Sequence, residues 1–134
     1  MAERILILLL VAAAVAAAWG MLRLWRAGRV AGLAHQLPLA GIVPAGKPAV
    51  VAFTSPGCHE CRSRQAPALA RLAADLGDRA VVHTLAAPEH PDLTSKLGIL
   101  TVPATVVVDE RGVVRRLNLG FAPAEQLAEQ LRSL

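Results

Sequence analysis

Both cysteines of the chain fall in one C-x-x-C unit, Cys58-His59-Glu60-Cys61. Ser55-Pro56-Gly57 breaks an apolar run just before it, and a helical pattern starts at Cys58, so the pair sits at a strand-to-helix junction. Residues three apart on a first helical turn lie within about 5–6 Å of each other, which suits the geometry of a disulfide. Free N–H groups at a helix start favour a thiolate on Cys58, the nucleophilic form, while Cys61, one turn in, is expected to be more buried. That asymmetry lets Cys58 attack a substrate disulfide and Cys61 resolve the mixed disulfide. Between them, Glu60 suits the helix dipole, but its charge opposes a Cys58 thiolate and leans the chemistry toward reduction. His59 as a cation would pull the other way, and two side chains standing in solvent would do neither.

The unit also admits other readings. C-x-x-C is half of a zinc site, although His35, His59, His83 and His90 do not stand at ligand spacing from one another. A soft-metal carrier domain places C-x-x-C after its first strand too, but continues with a different order of elements. Two inert structural cysteines do not usually share an exposed helix start.

The elements that must position the pair read as follows. Ala49–Thr54 (AVVAFT) is a continuous apolar, β-branched run, as in a strand buried on both faces. The helix from Cys58 carries Leu69, Leu72, Ala73 and Leu76 on one face and ends at Gly77-Asp78, with a kink expected at Pro67. Ala80–Leu85 is a second strand and Pro91–Leu97 a short helix stopped by Gly98. Ala104–Asp109 and Val113–Asn118 are strands joined by the tight connection Glu110-Arg111-Gly112. After Gly120, a last helix opens near Pro123 with Ala124, Leu127, Ala128 and Leu131 as its apolar stripe. The order β-α-β-α-β-β-α requires a right-handed parallel crossover followed by an antiparallel pair, hence a mixed sheet with helices on both faces.

Upstream, Ile5 to Leu22 is an uncharged stretch that as a helix would span about 27 Å, enough for a hydrocarbon core. Glu3 and Arg4 bound it on one side, and Arg23, Arg26 and Arg29 on the other, with Trp19 and Trp25 at the second end where an interfacial ring belongs. Ala16-Ala17-Ala18 resembles a signal-peptide cleavage site, but three arginines and two tryptophans around it fit an uncleaved anchor better. Residues 1–26 are therefore read as anchor with flanks and 47–134 as the soluble domain. Residues 27–46, rich in Gly and Pro, are read as a linker with a short edge strand near its end. Counting Lys and Arg near the two ends of the anchor favours a cytoplasmic domain over an extracytoplasmic one.

The remaining composition narrows the function classes. With 134 residues there is room for one domain plus the anchor. At 54% hydrophobic with a mean hydropathy of +0.48, the chain is no disordered polymer. Of its net charge of +4, a surplus of 3 sits in the N-terminal segment, while from Lys47 onward 10 basic residues face 9 acidic ones, so no nucleic-acid partner is expected.

A second segment sharpens the C-x-x-C signal. Leu97-Gly98-Ile99-Leu100-Thr101-Val102-Pro103-Ala104-Thr105, taken with Ser55-Pro56-Gly57-Cys58-His59-Glu60-Cys61, resembles the thioredoxin family from about Lys47 to Leu134. The resemblance implies a thioredoxin-like α/β fold, a redox-active Cys58–Cys61 disulfide and a cis Val102-Pro103 bond against it, where substrate binds. It implies no cofactor beyond the cysteines, a disulfide-bearing protein substrate and a thiol or thioredoxin-type electron donor. A carrier of copper or zinc on the same fold is the alternative. The pattern departs from the family at several positions. Ala52 stands where the family has a buried acid, Gly57 where a tryptophan usually precedes the motif, and Ala104 where a threonine follows the proline. Pro67 comes one residue late, and the family's N-terminal strand and helix are not evident.

Overall fold

The computed structural model describes residues 1–34 and 37–134. Helix α1 spans Ala2–Ala34, β1 Ala49–Thr54, α2 Ala66–Leu76, β2 Val81–Ala86 and α3 Pro91–Leu97. Strands β3 (Ala104–Val108) and β4 (Val114–Leu119) and helix α4 (Ala124–Arg132) complete the chain. The four strands lie in the order β2-β1-β3-β4, with β1 and β2 parallel and the other two pairs antiparallel. This is the mixed sheet that the element order required.

Alternation along β1 divides the core. Ala49, Val51 and Phe53 face one cluster with Leu93, Leu97 and Val106. Val50 and Ala52 face the other, with Leu69, Leu72 and Leu127. A strand buried on both faces needs an apolar residue at every position, which is why AVVAFT shows no alternation in sequence. In α2 the buried residues are Ala68, Leu69 and Leu72, whereas Ala73, expected on the buried face, is exposed.

The disruption expected at Pro67 takes the form of a wider turn. Cys61–Gln65 is π-helical, and the Ala66 N–H bonds the Cys61 carbonyl five residues back. Proline has no N–H, and its ring crowds the carbonyl four residues earlier in an α-helix, so a widened turn accommodates it. A π-turn takes one more residue than an α-turn, which accounts for Pro67 falling one position late.

Two departures concern residues 27–46. Helix α1 continues to Ala34, so the first part of the segment read as linker is helical. Residues 37–46 pack on the domain through Leu39 and Val43, which are buried in the first cluster. In place of an edge strand there is an isolated bridge between Ala40 and Val43. Val30 packs against the same cluster, and Ala27 and Ala31 line a groove beside β4. The end of α1 thus covers the sheet face shared with α3. Its earlier turns are bare: the most apolar 18-residue window has a mean hydropathy of 2.7 and is 0% buried, unlike a soluble protein's core helix. Arg23 and Arg29 lie over the rings of Trp19 and Trp25.

Candidate active site

Strand β1 delivers the chain to the site. After Thr54 a turn closes with the Cys58 N–H on the Ser55 carbonyl at 3.1 Å, and the helix starts at His59. Cys58 is therefore the residue before the first turn, where a side-chain acceptor can satisfy a free N–H. Its Sγ does this, accepting the Cys61 N–H at 3.1 Å. The same N–H would stabilise a thiolate on that sulfur. Cys58 and Cys61 form a disulfide with Cα atoms 5.3 Å apart. Cys58 is half-buried and Cys61 is 4% exposed, the asymmetry the sequence reading required.

Pro103 reaches the same end of the sheet by a different path. Phe53, next to the end of β1, pairs with Ala104, the first residue of β3, so Pro103 enters β3 where β1 leaves for the cysteines. The Val102-Pro103 peptide bond is cis. Thr101 and Val102 share a cleft with Ser55 and Leu100, whose side chain is 93% exposed. His59 and Glu60 are exposed, and Glu60 pairs with Arg64 at 3.5 Å.

Three features lay outside the sequence reading. Gln65 is 2% exposed, with its amide bonded to the backbone of Ala122. Arg64 stacks over Phe121 with 4.2 Å between guanidinium carbon and ring centre. A cleft of about 430 Å³ lies beside Cys61, lined by Ala52, Thr54, Gln65 and Thr84 among others. Only the aromatic Phe121 directly after Gly120 gave any hint, since burial of Gln65 depends on a partner 57 residues away. Among the described residues no three His, Cys, Asp or Glu side chains gather as a metal site; His35 lies outside the described residues.

The thioredoxin family model matches residues 40–133. The chain belongs to the thioredoxin family. The thioredoxin of Alicyclobacillus acidocaldarius is 35% identical over 85 residues, 63% of this chain and 79% of that protein. The thioredoxin of Rhodospirillum rubrum is 34% identical over 88 residues, 66% of this chain and 83% of its own. Among solved structures, chloroplastic thioredoxin z superposes with a TM-score of 0.61 at 26% identity, covering 74% of this chain and 87% of that one. The pneumococcal exposed lipoprotein thioredoxin also gives 0.61, at 20% identity, over 66% of this chain and 86% of its own, a likeness of fold. The thioredoxin match begins seven residues before Lys47, in keeping with the packing of Leu39 and Val43. As a member of this family the protein is a thiol–disulfide oxidoreductase; thioredoxins act on disulfide-bearing substrates with a reductant partner.

Proposed function

We propose that this member of the thioredoxin family is a membrane-tethered protein-disulfide reductase. The observation that carries the proposal is the pairing of a half-buried Cys58, whose sulfur accepts the Cys61 N–H, with a buried Cys61. The reduced form holds two thiols. The Cys58 thiolate attacks one sulfur of a substrate disulfide, forming a mixed disulfide and expelling the other substrate sulfur as a thiolate, which takes up a proton. Cys61, deprotonated, attacks Cys58 Sγ, closing the Cys58–Cys61 disulfide and releasing the second substrate thiol. Two electrons pass to the substrate, and an external dithiol donor restores the pair. Ala52 offers no side-chain base, and we infer that water entering the cleft beside Cys61 takes its proton. Val102 and Pro103 form the edge against which substrate lies, with exposed Leu100 adding apolar surface.

The anchor reading is supported by the bare apolar helix, and the arginine asymmetry supports a cytoplasmic domain, where a reductant is available. The tests are separable. Cys58→Ser abolishes insulin reduction and Cys61→Ser accumulates a mixed disulfide; equal residual turnover in both variants would overturn the assigned roles. A C-terminal alkaline phosphatase fusion is expected to be inactive in intact cells, and an active one would place the domain outside.

A further inference from the structure

The helix bearing the cysteines and the strand bearing Pro103 are separate elements, and a short segment beyond β4 touches both. The Gly120 N–H donates to the Pro103 carbonyl at 2.9 Å. Two residues on, the Ala122 N–H donates to Gln65 Oε1 and Gln65 Nε2 donates to the Ala122 carbonyl, both at 3.0 Å. Ala122 is fully buried between the end of β4 and the start of α4, where no ladder or helix bond serves it. Its two backbone groups therefore need a partner, and the Gln65 amide, which presents one donor and one acceptor, meets both. Between these bonds Phe121 lies against Arg64, the residue before Gln65.

Gln65 reaches this position because it ends the π-turn that starts at Cys61. Shortening the turn by one residue would rotate Gln65 by about 100° around the helix, away from Ala122. The side chain is one of two buried polar side chains among the described residues, and a leucine would fill its space but leave the Ala122 N–H and C=O without partners. A polar group there requires a reason beyond packing.

We infer that Gln65 is a positioning residue of the redox site, fixing the Cys58–Cys61 turn relative to Pro103 through residues 120–122. It touches neither substrate nor the reacting sulfurs. A protein substrate lies against the cysteines and Pro103 together, so a change in their spacing weakens its binding; a small disulfide needs the cysteines alone. The inference rests on the protein-disulfide reductase reading proposed above, which the cysteine variants test separately.

The experiment compares insulin with a small aromatic disulfide as substrates of the full chain in detergent micelles, dithiothreitol being the donor. Gln65→Leu is expected to raise KM for insulin about tenfold with kcat changed far less, and to alter the small-disulfide rate much less than the insulin rate. Gln65→Glu supplies a sharper readout. A protonated carboxyl has the same donor and acceptor as the amide and can bond Ala122 twice, whereas the carboxylate has no donor for the Ala122 carbonyl. Burial raises the pKa of the introduced carboxyl. The insulin-to-small-disulfide ratio of this variant, divided by that of the wild type, should stand near one at about pH 5 and fall several-fold by about pH 8. Equal loss on both substrates in Gln65→Leu, or a flat ratio across pH in Gln65→Glu, would overturn the inference. Should Gln65→Leu fail to fold, the Gln65→Glu profile decides alone.

Discussion

On the sheet face covered by α2 and α4, apolar contacts among Val50, Leu69, Leu72 and Leu127 are joined by buried polar groups that all find partners. Gln65 bonds Ala122, and Thr105 accepts from Asn118, whose amide is in turn paired with Gln130. The opposite face, covered by α3 and the segment after α1, is apolar throughout its buried cluster: Leu39, Phe53, Leu97, Val106 and Val108. Among the described residues no hydrogen bond or ion pair joins α1 to the domain. Apolar contact is non-directional and tolerates small shifts, whereas a hydrogen bond fixes distance and angle. The directional contacts lie on the face that carries Cys61, where spacing matters for chemistry. The face toward the anchor needs only cover.

The comparison can be broken most forcefully by removing that cover. A fragment starting at residue 47 lacks Leu39 and Val43, which are 0% and 9% exposed in the intact chain. Burial of two such side chains contributes about 3–6 kcal/mol, a large part of a small domain's stability. The 47–134 fragment should therefore unfold at much lower urea concentration than 37–134; coincident midpoints would show that this face stands without the segment. On the other face, Asn118→Ala strands the buried Thr105 hydroxyl and unpairs Gln130, with an expected loss of about 1–3 kcal/mol by urea denaturation. A loss below about 0.5 kcal/mol would mean that packing alone holds both faces.

Smaller still is the effect at the seam between the anchor helix and the domain. Gly98 ends α3 in the left-handed region, at φ +72°, and a Cβ there would lie 2.6 Å from Arg29 Nη1. Gly98→Ala costs about 1 kcal/mol from backbone conformation alone. The flexible guanidinium can move aside, so the contact adds a few tenths more. Combining the change with Arg29→Ala in a double-mutant cycle should show that addition as non-additivity; strict additivity would place Arg29 away from the domain in solution.

The order of elements was legible because each carries its own local signal. Gly98 stops α3 and Gly120 precedes the last helix, while the unbroken apolar run of β1 marks a central strand. Cys58, Cys61 and Pro103 stood out by residue type and spacing. Pro67 announced an interruption, but a kink and a π-turn share that cue, and the Gln65–Ala122 bonds that go with the π-turn join residues 57 apart. Leu39 and Val43 were hidden by the Gly and Pro around them, which read as a linker although the two apolar residues have the sheet to cover. Gly28 and Gly32 hid the last turns of α1 in the same way. In each case the deciding partner is distant in sequence, and composition averages it away.

Glu60 gives the finest test of how directional contacts tune the cysteines. Read alone, its charge opposes a thiolate on Cys58. In the folded chain the carboxylate faces Arg64, which is itself held over Phe121, so part of that opposition is cancelled. The two side chains are 48% and 61% exposed, and solvent screens such a pair to about 0.5 kcal/mol. For a two-electron couple that energy corresponds to about 10 mV. Glu60→Gln removes the negative charge, stabilises the reduced form and should raise the potential by no more than about that amount, since solvent screens an exposed charge from the Cys58 sulfur as well. Arg64→Ala leaves Glu60 uncompensated and should lower it by a similar amount. Glutathione equilibration of the two variants against wild type reads both shifts. Movement in the same direction in both would show that Arg64 acts through the Phe121 segment and Gln65 rather than through the Glu60 charge.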